Sequence, residues 1–123
     1  MSDKRELDAV TLTMWWNKLI TIVDEAQATL LRTAFSRIVT DAWDFSCALF
    51  DTKGEMIAQG RHGFPEFTGC MSFALHDFLA AYPPETLQPG DSLITTDPWI
   101  GASQINDVFF AVSYTHLTLP TKA

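Results

Sequence analysis

Basic residues are scarce in this chain: eight Lys and Arg stand against fifteen Asp and Glu, for a net charge of −7 and an isoelectric point near 4.6. No Lys/Arg cluster with interleaved aromatics occurs, so nucleic acid is not an expected partner. Cysteine is scarcer still. Cys47 and Cys70 lie far apart and outside any C-x-x-C spacing, which reads as reduced, partly buried thiols rather than a disulfide framework or a zinc site. Long apolar runs are missing too. Met1-Ser2-Asp3-Lys4-Arg5-Glu6 lacks the continuous apolar segment of a signal peptide, and no later run approaches the roughly 18 residues of a membrane span. The expectation is a cytoplasmic protein without a membrane partner. No repeat, glycine-rich phosphate loop or nucleophile elbow occurs, so no motif of known mechanism assigns ATP binding or hydrolysis.

What is present suits one small globular domain: 123 residues, 47% of them hydrophobic and 19% charged. Leu12, Trp16, Leu19, Val23, Ala26, Leu30 and Ala34 recur every three or four positions, which predicts a long helix with Asp8 as its N-cap. Asp24, Glu25, Gln27 and Arg32 fall largely on its other side, while Trp15, Ile20, Ile22 and Leu31 widen the apolar face. The period weakens between Arg32 and Asp44. Phe45–Phe50, the turn residues Asp51-Thr52-Lys53-Gly54 and Met56–Gln59 then predict a β-hairpin, with turn or cap roles for Asp44 and Asp51.

The stretch from Gly60 to Gly69 is too interrupted for a regular element, and it carries His62, a side chain able to exchange a proton near neutral pH. Cys70–Tyr82 has helical spacing and stops at Pro83-Pro84. Its His76 has no acidic or histidine partner at a ligand-like i+4 position and reads as solvent-facing or hydrogen-bonded. Ser92–Thr96 predicts a strand. Val108–Tyr114 predicts another, apolar almost throughout and expected to be buried on both faces. Between them Thr95–Asp107 concentrates turn chemistry: Asp97 can accept from backbone N–H groups, Pro98 fixes its own φ, and Gly101 lets a ligand approach the main chain. An Asp-Pro turn joining two strands would show the same local pattern. The fold class is α/β in the mixed α+β sense: a long N-terminal helix, a hairpin, a second helix and further strands, as an incomplete part of a larger domain.

Four blocks in order resemble the hydantoinase B/oxoprolinase family: Arg32-Thr33-Ala34-Phe35-Ser36, Asp44-Phe45-Ser46-Cys47-Ala48-Leu49-Phe50-Asp51, Pro89-Gly90-Asp91, and Asp97-Pro98-Trp99-x-Gly101. The resemblance implies that residues 1–112 are the N-terminal part of such a domain. Residues 113–123 depart from the family's continuation and read as translated adapter sequence. It further implies a hetero-oligomer with a hydantoinase A-type subunit that carries ATP, acting on a small cyclic amide such as a hydantoin or 5-oxoproline. A subunit of an ATP-dependent ketone carboxylase, acting on a ketone substrate, and a non-catalytic binding or assembly module are the alternatives.

In relatives the glycine loop commonly continues Gly-Thr-His-x-x-Asp, and in the ketone carboxylases that His and Asp look like ligands of a divalent metal. Here Asp107 matches the acidic position, Gln104 stands at the histidine position, and Phe67 replaces a histidine common in the earlier loop. A neutral amide is a much poorer transition-metal ligand than imidazole. The candidate catalytic residues are therefore Asp97, Asp107 and His62, with Trp99, Gly101 and Gln104 as substrate-binding candidates and Asp107 as the metal-ligand candidate.

Overall fold

Asp8 starts the first helix as its cap: the side chain accepts a 2.6 Å hydrogen bond from the Thr11 N–H, satisfying one of the donors that a helix start leaves free. The computed structural model describes residues 7–63, 65–101 and 104–114, with the backbone alone at Pro65 and Glu66. Along it run α1 (Ala9–Thr33), α2 (Arg37–Ala42), β1 (Ala48–Phe50), β2 (Met56–Gln59), α3 (Pro65–Ala81), a short 3-10 turn (Pro84–Thr86), β3 (Ser92–Thr95) and β4 (Phe109–Val112). The strands form two separate antiparallel pairs, β1 with β2 and β3 with β4. The chain is thus mixed α and β, as its sequence predicts. Two compact units divide the described residues: one runs to Asp51 and resumes over Glu55–Pro65, and the other holds Thr52–Gly54 and the residues from Glu66 onward.

In the first unit α1 packs against β1, β2 and α2. Its only buried residues are Val23 and Gln27. The sequence pattern puts Gln27 on the polar side of the helix; the structure buries it, because Gln27 Nε2 donates to the backbone carbonyl of His62, and the oxygen of a loop stands in for water. Gly60 permits this. A Cβ there would overlap the Gln27 carboxamide. The helix then ends at Thr33, and a further short helix, α2, forms where the period alone predicts only a loss of helix. Trp43 closes α2 in the left-handed region at φ 55°, where its N–H reaches the Val39 carbonyl at 3.2 Å. For a residue with a Cβ this conformation costs roughly 1–2 kcal/mol.

The hairpin of β1 and β2 forms as expected. Asp51 has the turn role: its backbone N–H donates to the Glu55 carbonyl and its Oδ1 accepts from the Glu55 N–H, both at 2.9 Å. The pairing skips a residue between Ala58 and Met56 of β2, a bulge that leaves Ile57 unpaired.

In the second unit α3 begins at Pro65, five residues before the predicted start, so the stretch expected to be irregular is partly helical. Proline is compatible with a first helical turn, where its missing N–H would have no partner. Met71, Ala74 and Phe78 form the buried face of α3, and the Phe78 ring meets that of Phe109 in β4 at 5.4 Å. Ser72 Oγ donates to the Gly54 carbonyl at 2.8 Å, while His76 is exposed beside Gly54. β3 pairs with β4 from Ser92↔Val112 to Thr95↔Phe109, and Ser113 prolongs the ladder by exchanging bonds with Gly90 and Asp91, each at 2.8 Å. β4 is not buried on both faces. Phe109 and Ala111 are half-buried and Phe110 and Val112 exposed, the alternation of a two-stranded pair with one covered side.

Candidate functional site

The predicted site residues fall in both units. His62, in the first, sits on the loop from Gly60 to Gly63, and α1 fastens that loop from two positions one turn apart. Asp24 Oδ1 accepts the Arg61 backbone N–H at 2.8 Å and its other oxygen pairs with the Arg61 guanidinium, while Gln27 holds the His62 carbonyl. Gly63 lies so close to Ser46 Oγ that a side chain at that position would displace it. With its backbone pinned, the His62 imidazole lies tilted against the Trp43 indole, ring centres 5.0 Å apart, and Trp43 stacks in turn near Phe45 at 6.1 Å. The imidazole remains exposed.

Asp97, Trp99, Gly101, Gln104 and Asp107 belong to the second unit, between β3 and β4. The Asp97 N–H donates to Thr95 Oγ1 at 3.1 Å, and its Oδ1 accepts from the Trp99 N–H at 2.9 Å. The Ile100 N–H closes the turn on the Asp97 carbonyl at 3.0 Å. This is the side-chain-supported turn that Asp-Pro favours. Trp99, held at the corner with its N–H fixed, presents its indole to solvent at 91% exposure. Gly101 follows at φ 83° and lies directly on α3, where a Cβ would collide with that of Ala74. Ala102 and Ser103 lie outside the described residues. Gln104 is exposed, and the Asp107 N–H donates to its carbonyl at 3.1 Å.

α3 supplies a neighbour that sequence spacing does not reveal. Burial pushes the Cys70 thiol above its ordinary value, and the Asp107 charge pushes it further the same way. Its Sγ donates to the Phe67 carbonyl at 3.3 Å. A raised thiol pKa does not favour a nucleophilic role at Cys70, and burial raises Cys47 in the same direction. Among the described residues no three His, Cys, Asp or Glu side chains converge on a point that could hold a metal ion. The described residues of the loop carry the Asp97 and Asp107 carboxylates and the Gln104 and Asn106 amides. No helix among the described residues is long and apolar enough to cross a membrane.

The Arg32–Ser36 and Asp44–Asp51 blocks lie in the first unit and the Pro89–Asp91 and Asp97–Gly101 blocks in the second, and comparison with known proteins places them. The family model for hydantoinase B/oxoprolinase matches residues 8–118, and the chain belongs to that family. It is 33% identical to 5-oxoprolinase of Saccharomyces cerevisiae over 103 residues, 84% of this chain and 8% of that protein. To 5-oxoprolinase 1 of Arabidopsis thaliana it is 34% identical over 101 residues, 82% of this chain and 8% of that one. To a putative D-/L-hydantoinase subunit, of the B type, from Pseudomonas sp. (strain NS671) it is 26% identical over 113 residues, 90% of this chain and 19% of the relative. The chain thus spans a small fraction of the relatives it matches. No solved structure matches it.

Proposed function

We propose that this chain is a segment of a hydantoinase B/oxoprolinase-type subunit that takes part in the hydrolysis of cyclic amides such as hydantoins or 5-oxoproline. ATP is expected on a hydantoinase A-type partner, in a hetero-oligomeric cytoplasmic enzyme. The family match over residues 8–118 supports the reading of a cyclic-amide hydrolase-type subunit, and the 5-oxoprolinase names of its yeast and plant relatives favour that substrate class.

The chemistry of the second-unit loop fits such a substrate. A ring amide is locked cis, so its N–H and C=O lie on one edge. The Gln104 carboxamide carries one acceptor and one donor group side by side, a complement to that edge. The exposed Trp99 indole offers a flat face for the ring. Ring opening adds water to the carbonyl carbon and breaks the C–N bond, and the departing nitrogen takes a proton. Asp97 and Asp107 are the carboxylates that could accept the proton of the water and hand one to the departing nitrogen.

The replacement of the family's histidine by Gln104 favours a second reading, in which the segment binds or assembles without catalysing. Placing this chain in the position of the matched segment of the Pseudomonas relative, together with a hydantoinase A-type partner, separates the two. ATP-dependent release of glutamate from 5-oxoproline, or opening of hydantoin, is the expected result. An assembled complex with no turnover on either substrate, while the unaltered Pseudomonas pair is active, would establish the assembly module instead.

A further inference from the structure

The first half of α1 is apolar on more than one side. From Ala9 to Ile20 its one charged side chain is Lys18. Val10 and Met14, 69% and 67% exposed, flank a shallow groove with Ala9, Thr13 and Asn17. Further round the helix Trp16 and Trp15 are 54% and 59% exposed beside Leu12. Neither side has a cover among the described residues, whereas Val23 and Gln27, further along the same helix, are buried. A helix apolar on more than one side belongs in the interior of a large domain, and a contiguous patch of this composition is an interaction surface.

We infer that this half of α1 is the docking surface for the remaining part of a hydantoinase B-type subunit, which inserts apolar side chains on both sides of the helix and buries Trp15 and Trp16. The lengths of the relatives identify the occupant. This chain spans 19% of the Pseudomonas protein, so about four-fifths of a family subunit lies outside the matched segment and is available to cover the helix. A second copy of the chain is disfavoured, since each carries a net charge of −7. The inference rests on family membership and not on the cyclic-amide activity, and its test reads exposure rather than turnover.

Hydroxyl-radical oxidation followed by mass spectrometry reads the exposure of Met14, Trp15 and Trp16 directly. It is applied to the 123-residue chain alone and to the same chain replacing the matched segment of the Pseudomonas relative. In the isolated chain the three residues oxidise rapidly; within the full-length subunit their oxidation slows by about tenfold, independent of protein concentration. Equal oxidation in both would overturn the inference. So would a discrete dimer of the isolated chain, seen by sedimentation, that protects all three residues, because the occupant would then be a second copy. Trp15→Lys/Trp16→Lys supplies a separate arm that needs only the isolated chain. It is expected to leave helical content and the thermal midpoint unchanged there, and a loss of fold in the isolated chain would show that the face is already internal.

Discussion

Gln27 shows at the scale of single residues how a polar side chain comes to behave as core. It is 2% exposed, its Nε2 is used by the His62 carbonyl, its Oε1 is buried without a hydrogen-bond partner among the described residues, and Gly60 lies directly against its carboxamide. Gly60→Ala places a methyl group where the carboxamide lies and should cost about 1–3 kcal/mol. A clear fall in the thermal midpoint is the expected outcome, whereas Gly69→Ala, where a Cβ meets nothing, should not lower it. Trp43→Gly tests the ring contact. Glycine removes the left-handed penalty at this position but also the indole beside His62, so the His62 ring protons should lose their ring-current shift in proton NMR while the fold persists. At the loop, Gln104→His adds an imidazole three positions before Asp107. Calorimetry should show tighter manganese or zinc binding in a full-length subunit, lost again in Gln104→His/Asp107→Ala.

At the scale of elements the division between what sequence reveals and what it hides follows the range of the interactions. The Asp8 cap, the long helix, the first hairpin and the two later strands were legible because periodicity, capping and turn chemistry act within a few residues. Gln27 was misplaced because its partner is 35 positions away, and helical period cannot report a loop carbonyl. The start of α3 was hidden by Pro65 and Gly69, which resemble loop residues although the first turn of a helix accepts proline. An apolar run such as Phe109–Val112 cannot say how many of its faces find a cover, so the expectation of two buried faces failed. Of the candidate site, the turn at Asp97 was legible from Asp-Pro alone, while the approach of Cys70 to Asp107 was not.

The capped end of α1 carries a pH dependence. Hydrogen bonds from Thr11, through its side chain and then its N–H, hold the Asp8 carboxyl below its ordinary value. The folded state therefore favours the carboxylate. Its contribution is present above the unfolded-state pKa and is lost as pH falls through the lower folded value. The Thr11 amide resonance should follow this titration, and in Asp8→Ala it should show no such step while the first turn frays at neutral pH.

Over the whole molecule the buried apolar content is thin. Among the described residues only Val23, Ala58, Met71, Ala74 and Phe78 are buried hydrophobics, spread over two units, while many large apolar side chains face solvent. Hydrophobic burial is the main term opposing chain entropy, so the isolated chain should be of low stability and should expose apolar surface. Binding of an apolar dye under native conditions is the expected observation, with dye fluorescence reduced in Trp15→Lys/Trp16→Lys. A monodisperse monomer that unfolds cooperatively and binds no dye would contradict it.

The bare contact between Gly101 and Ala74 ties the timing of the loop to that of the helix. With no side chain between them to yield, the loop carrying Trp99 cannot move toward α3, and a rise of α3 by one residue, about 1.5 Å, would lift the loop with it. Displacement of α3 then displaces the loop seated on it. In hydrogen exchange, the Ile100 amide, bonded to the Asp97 carbonyl, should exchange at a rate set by opening of α3 and not by local fraying. Gly101→Ala should uncouple the two, accelerating exchange at Ile100 and Asp107 while the amides along the buried face of α3 keep their protection.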